Sequence, residues 1–202
     1  HQHLSARGPD AGCDCDGTQL CTHLPLVIID TGGQEIPGVP NGEEDYYGEE
    51  LYTTAEDGTD FINVQVTVID NEDRNNHPSD TPDFTTASQF RIRGHASRHF
   101  EKSPYLLKFI DEDGEDNPIS VMGMGAHNEW VLNGPYLDKS LIRNYLCYNL
   151  AGEIMEYAPN VRYCELIVDG DYRGLYLMVE SITSGDDCRL NLRSNVKDSS
   201  IT

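Results

Sequence analysis

Positive charge is what this sequence has least of. Its 202 residues carry 14 Lys and Arg against 35 Asp and Glu, a formal net charge of −21. Phosphodiester backbones are repelled over most of such a surface, which excludes non-specific nucleic-acid binding. The acidity itself suits a solvated surface, cation binding or a basic partner. Long apolar runs are missing as well. "LPLVII" and "LYLMV" fall far short of the roughly 20 residues a membrane-crossing helix needs, so no membrane span is expected. The lone Trp130 speaks against a carbohydrate platform built from several exposed aromatics. No G-x-x-x-x-G-K-[ST], G-x-S-x-G or H-E-x-x-H occurs, so the chain is not a P-loop protein, a nucleophile-elbow hydrolase or a zincin. "DEDGED" (111–116) has its glycine at the wrong place for a calcium loop and reads as a hairpin turn. Nothing at the N-terminus reads as a signal peptide, so a mature or cut chain is expected.

What is present suffices for one large domain, or one domain with appendages. Six cysteines stand at 13, 15, 21, 147, 164 and 188. An even count is compatible with disulfides and an extracytoplasmic home. Cys13, Cys15, Cys21 and His23 form C-x-C-x5-C-x-H, which leaves zinc, disulfides and free thiols open. Cys147 and Cys164 fall on a predicted helix and the strand after it, and are either bridged or separate core residues.

Residues 1–23 read as an irregular, cysteine-containing arm, 24–193 as the folded domain, and 194–202 as a polar tail. "LPLVIID" (24–30) predicts a strand stopped by Thr31-Gly32-Gly33. The acidic, Gly-rich stretch 37–60 holds Tyr46, Tyr47 and Tyr52 as expected anchors. "FINVQVTVID" (61–70) alternates strictly, as do 88–94 and, less cleanly, 103–111; all three are predicted strands. From Asp138 the period changes. Asp138 or Ser140 can cap a helix running to about Tyr157, with Leu141, Ile142, Tyr145, Leu146, Leu150 and Ile154 on its apolar side. "RYCELIVDGDYRGLYLMVE" (162–180) predicts a hairpin turning at Asp169-Gly170. Strands, helix, hairpin: the expected fold class is α+β, an antiparallel sheet with one principal helix packed on it.

Against the acidic background, "RIRGHASRHFEKSPYLLKF" (91–109) gathers Arg91, Arg93, Arg98, Lys102 and Lys108 around Gly94. A strand, a glycine turn and a second strand can aim backbone N–H groups and a hydroxyl at a phosphate. Lysine adds a point charge and arginine a bidentate grip. The alternative is that these cations pair with nearby carboxylates on solvated strand faces.

These segments resemble, in order, those of the spore-coat protein H (CotH) kinase family. "LPLVIIDTGGQEIP" is similar to its opening strand and turn. "FRIRGHASRHFEKSPYLLKF" is similar to its R-G-N-S-S … K-K-P-Y-x-x-K signature, with His95 and Ala96 where the family often has Asn and Ser. "EWVLNGPYLDKSLIRNYLCYNLAGEI" resembles its W-V-L … D-x-S-x-x-R-N helix, and "APNVRYCELIVDGDYRGLYLMVESI" its hairpin. The resemblance implies a secreted or surface-exposed, atypical protein kinase whose N-terminal lobe this chain covers. Arg93, Gly94 and Ser97 would then lie over the phosphates of ATP, with Lys108, or in its place Lys102, pairing with them. Glu153 would be the helix's orienting carboxylate, or else a solvated helical Glu. Glu180 to Thr183 would form the hinge beside adenine, acting through backbone groups.

The family's magnesium-binding aspartates belong to a second lobe. Asp186, Asp187 and Asp198 lack that context, so no catalytic residue and no turnover are expected of this chain alone. The implied reaction is transfer of the γ-phosphoryl group to Ser or Thr of surface or coat proteins. The rival reading is a non-catalytic extracellular structural, assembly or adhesion module.

Overall fold

The computed structural model describes residues 17–155 and 158–181. In chain order the strands are β1 (Leu26–Asp30), β2 (Pro40–Glu44), β3 (Glu50–Tyr52), β4 (Ile62–Ile69), β5 (Phe84–Ile92), β6 (Tyr105–Ile110), β7 (Ile119–Ser120), β8 (Ala126–His127), β9 (Glu129–Asn133), β10 (Val161–Val168) and β11 (Asp171–Glu180). One α-helix, α1 (Arg143–Ile154), precedes the last hairpin.

The fold corrects the expected α+β class. Seven strands close into a mixed barrel in the order β1-β10-β11-β9-β6-β5-β4, with β4 returning to β1. All neighbours are antiparallel except β1 and β10, which run parallel from Leu26↔Glu165 to Ile29↔Val168. There is thus no open antiparallel sheet bearing a packed helix, as a kinase N-terminal lobe would have. Alternating strands look the same in either architecture. The β1–β10 pairing that decides between them joins opposite ends of the chain and leaves no local signal.

Alternation sorts the side chains. Val27, Ile29, Val64, Val66, Phe90, Leu107, Trp130, Leu166 and Tyr176 fill the interior. The Trp130 indole N–H donates to the His127 carbonyl at 3.0 Å, which satisfies its one polar atom. The β10–β11 turn forms where the sequence places it. Asp169 (φ 51°) and Gly170 (φ 79°) both adopt the left-handed conformation that a two-residue type I′ turn requires. The Asp169 carboxylate also reaches across the closure. It accepts from the Thr31 backbone N–H and hydroxyl, each at 2.8 Å, just past the end of β1.

Helix α1 lies outside the barrel. Tyr145 stacks on Tyr163 with ring centroids 4.8 Å apart. Tyr145 and Tyr148 pack on Val131, Val161, Leu177 and Val179 of the outer barrel face. No residue of α1 is buried, and Leu146, Leu150 and Ile154 are 52%, 47% and 82% exposed. The apolar periodicity makes a helix, but the tyrosines rather than the aliphatic stripe meet the barrel. Asp138 accepts from the Arg143 N–H at 2.8 Å, five residues on, and a hydrogen bond from Ser140 is the main cause that holds its carboxyl below the usual range.

Cys164 is fully buried in the barrel and Cys147 is exposed on α1. Both thiols are free, so they do not bridge. Tyr46 and Tyr47 are exposed at a hairpin tip and anchor nothing buried, whereas Tyr52 meets Arg98 and His95. Strand β9, read only as part of a helix-containing motif in the sequence, is a full barrel stave between β11 and β6.

Leu166→Ala should therefore cost about 2–5 kcal/mol of unfolding free energy by urea titration, the usual range for a buried leucine. Leu150→Ala on α1 should cost less than about 1 kcal/mol. Equal losses would show that the helix packs through its aliphatic stripe.

Candidate functional site

The basic segment resolves into distinct roles. Arg91 pairs with Asp60, and Lys108 with Asp116 at 2.8 Å. Arg98 donates through Nη1 to the Gly38 carbonyl at 2.9 Å and through Nε to that of Gly94, and its guanidinium lies 4.0 Å from the centre of the Tyr52 ring. These three cations are consumed by structure. Arg93, exposed, and Lys102, half-buried, make no ion pair among the described residues.

Gly94 has φ +98°, a conformation that L side chains rarely adopt. A Cβ there would sit 2.2 Å from Ser97 Oγ. The glycine therefore lets the following 3₁₀ turn (Ala96–His99) fold the Ser97 hydroxyl back over the backbone. Arg93, Gly94 and Ser97 then line one groove of 360 Å³, whose apolar floor includes Val131 and Val179 and whose wall includes Tyr148 of α1. Small-molecule sites occupy about this volume and more.

Lys102 lines an adjoining groove that shares Ser97, Pro104 and Asn133 with the first. Its stem crosses Gly134, where any Cβ would come within 2.7 Å of Lys102 Cγ, and its ammonium rests 4.8 Å from the centre of the Tyr176 ring. Burial pushes the amine below its ordinary value, with Cys164 opposing. Cation–π contact offsets part of that cost.

Lys108 stands elsewhere. It lines a separate groove with Arg91, Asp60 and Glu129. The hydrogen bond to Asp116 raises its pKa, with desolvation opposing and the charges of Asp116, Glu129 and Glu115 assisting. It is two residues along β6 from Leu106, on the same outward face, and shares no lining residue with the Gly94 groove.

Glu180 does line the Gly94 groove, but its carboxylate is turned inward. It accepts from the Asn160 backbone N–H at 2.9 Å and side-chain amide at 2.8 Å, and lies 3.4 Å from His127 Nε2. The backbone N–H groups of Glu180 and Ser181 donate to Asn160 and Glu129 carbonyls. Those two donors are thus used within the protein rather than offered to a ligand. Glu153 is exposed near the end of α1 and lines none of these grooves. The rest of the expected hinge, Asp186, Asp187, Asp198, Cys13, Cys15 and Cys188 lie outside the described residues.

The sequence reading missed Asn160, His127, Tyr148 and Tyr176, the partners that shape the site. Each comes from a distant segment and carries no motif. The β2–β3 hairpin was missed as well. It buttresses the glycine turn through Tyr52, whose hydroxyl lies 3.1 Å from His95 Nδ1, and Glu50, 3.1 Å from His99 Nε2.

A family model described as CotH kinase protein matches residues 90–199, just over half of the chain, and spans the glycine turn, β6, α1 and the last hairpin. No curated protein matches the chain.

The position of Lys102 has a consequence for stability. Folded, its pKa is lowered; unfolded, it titrates at its ordinary value. Between the two the unfolded chain binds more protons, so stability rises with pH there, and at neutral pH the whole cost of holding the ammonium is present. Lys102→Met should unfold at higher denaturant than wild type at neutral pH, and the gap should narrow towards about pH 10. A wild type more stable than the variant at neutral pH would show that the ammonium has a favourable partner.

Proposed function

Because the chain belongs to the CotH kinase protein family, we propose that it supplies the phosphate-binding face of an ATP-dependent protein kinase, with Lys102 meeting the nucleotide's phosphates. The observation that carries this reading is Lys102 itself: a partly desolvated ammonium with no carboxylate partner among the described residues, beside the groove of Gly94 and Ser97. A cation in that state gains most from an incoming anion, because the desolvation cost has already been met on folding. Arg93 adds a second cation with no ion pair among the described residues. Val131, Val179 and Tyr148 give the groove apolar side chains beside which a base could lie.

The reaction this would serve moves the γ-phosphoryl group of ATP to a serine or threonine hydroxyl of a surface or coat protein. The bond from phosphorus to the β–γ bridging oxygen breaks, a bond to the acceptor oxygen forms, and the hydroxyl proton leaves. Arg93, Ser97 and Lys102 would bind and orient the phosphates and offset their charge. The described residues bring no three metal-ligating side chains together, and Glu180 is committed to Asn160. Magnesium would enter with the nucleotide. An extracytoplasmic setting belongs to the same proposal. No helix among the described residues is long and apolar enough to cross a membrane.

Thermal shift with Mg-ATP tests this. The wild type should be stabilised, by about 2.7 kcal/mol at 100 times Kd. Lys102→Ala should weaken binding by roughly 10- to 100-fold, the loss of one charge-assisted contact. Lys108→Ala should bind nearly as wild type. Loss of the shift in Lys108→Ala but not Lys102→Ala would overturn the assignment, and no shift in any of the three would favour a non-catalytic assembly module.

A further inference from the structure

Two histidines sit in the glycine turn, and the proposed phosphate chemistry uses neither. The turn makes few contacts of its own. Inside it, Arg98 N–H donates to the His95 carbonyl at 3.2 Å and Phe100 N–H to that of Ser97 at 3.3 Å. On one side Phe100 stacks on Tyr136, centroids 5.2 Å apart. On the other the turn is held by the segment that includes the β2–β3 hairpin: Gly38 and Tyr52 take Arg98, Tyr52 faces His95, and Glu50 faces His99.

These contacts differ in how they respond to protons. The Arg98 contacts are permanent, since a guanidinium stays charged. The His95–Tyr52 contact survives either state of the imidazole, because Nδ1 can accept from the hydroxyl or donate to it. The His99–Glu50 contact, 3.1 Å, is an ion pair only when the imidazole is protonated. Among the described residues, Arg98 lies in the same turn and feels the charges of Glu50, Arg91 and Asp60, the last two of which pair with each other. Glu50 is the carboxylate that faces His99.

We propose that the β2–β3 hairpin is a proton-controlled strap on the glycine turn: protonation of His99 ties the turn to Glu50 and orders Gly94 and Ser97, and deprotonation slackens it. The regulatory meaning rests on the reading of this turn as a phosphate loop; the strap itself does not. At Glu50 the side chain is 28% exposed and at His99 53%, so the pair contributes what half-exposed pairs do, a few-fold change in the population of the ordered turn.

Amide hydrogen exchange of the whole chain without nucleotide, corrected for intrinsic rates, reads the strap directly. Protection at the Arg98 and Phe100 amides should rise about two- to fivefold between about pH 7.5 and 5.5, because acid favours the charged imidazole that pairs with Glu50. His99→Gln and Glu50→Gln should abolish that rise. His99→Arg should hold protection at the higher level at both pH values. The same rise in His99→Gln as in wild type, or no rise in wild type, would overturn the strap. Since no nucleotide is present, its failure and the failure of ATP binding are separate results.

Discussion

The parallel pairing of β1 with β10 is the contact on which the rest of this structure depends. It converts six antiparallel neighbours and one short strand into a closed wall, leaving neither edge strand free. Asp169 fastens it by accepting two hydrogen bonds from Thr31 while forming the turn that starts β11. One residue thus sets the hairpin and ties together the two ends of the barrel wall. Asparagine at this position would turn the chain equally well, but its side chain has one oxygen acceptor site in place of the carboxylate's two.

Closure also gives the two lysines of this segment different surroundings. A barrel has an inside, and Tyr176 of β11 is directed into it. Lys102, in the loop before β6, lies over that ring and is drawn partly out of water. Lys108, on β6, points outward beside Asp116 and is neutralised. The glycine turn, the hairpin that straps it and α1 are arranged on the outside around the groove that results. The anomaly of a basic cluster in a strongly acidic chain is therefore two different things. Arg91, Arg98 and Lys108 are ordinary partners of acids, carbonyls and a ring, while Arg93 and Lys102 make no ion pair among the described residues.

How far the sequence could show this depends on the range of the interaction. Strands β4, β5, β6, β10 and β11 and the Asp169-Gly170 turn were legible, because alternation and turn chemistry are local. The helix was legible as a helix, but not its orientation: two tyrosines against Val161 and Leu177 outweigh the three aliphatic positions Leu146, Leu150 and Ile154, and periodicity does not rank them. The barrel was not legible, because its closing pair joins residues from opposite ends of the chain. Nor was it legible that Lys108 pairs with a carboxylate while Lys102 lies over an aromatic ring. Lys108 lies on a clean strand and so drew attention, yet its partner arrives from the following turn. Lys102 lies in an aperiodic loop, and what sets it apart is supplied by Gly134 and Tyr176.

The claim that Lys102 meets the nucleotide's phosphates is tested most directly by an acyl phosphate of ATP, a mixed anhydride that delivers its acyl group to an amine lying beside the terminal phosphates and releases ATP. After reaction at neutral pH and peptide mapping, the account predicts acylation at Lys102, suppressed by excess Mg-ATP, with Lys108 labelled no faster than other surface lysines. Nucleotide-protected labelling at Lys108, with Lys102 unmodified, would contradict it.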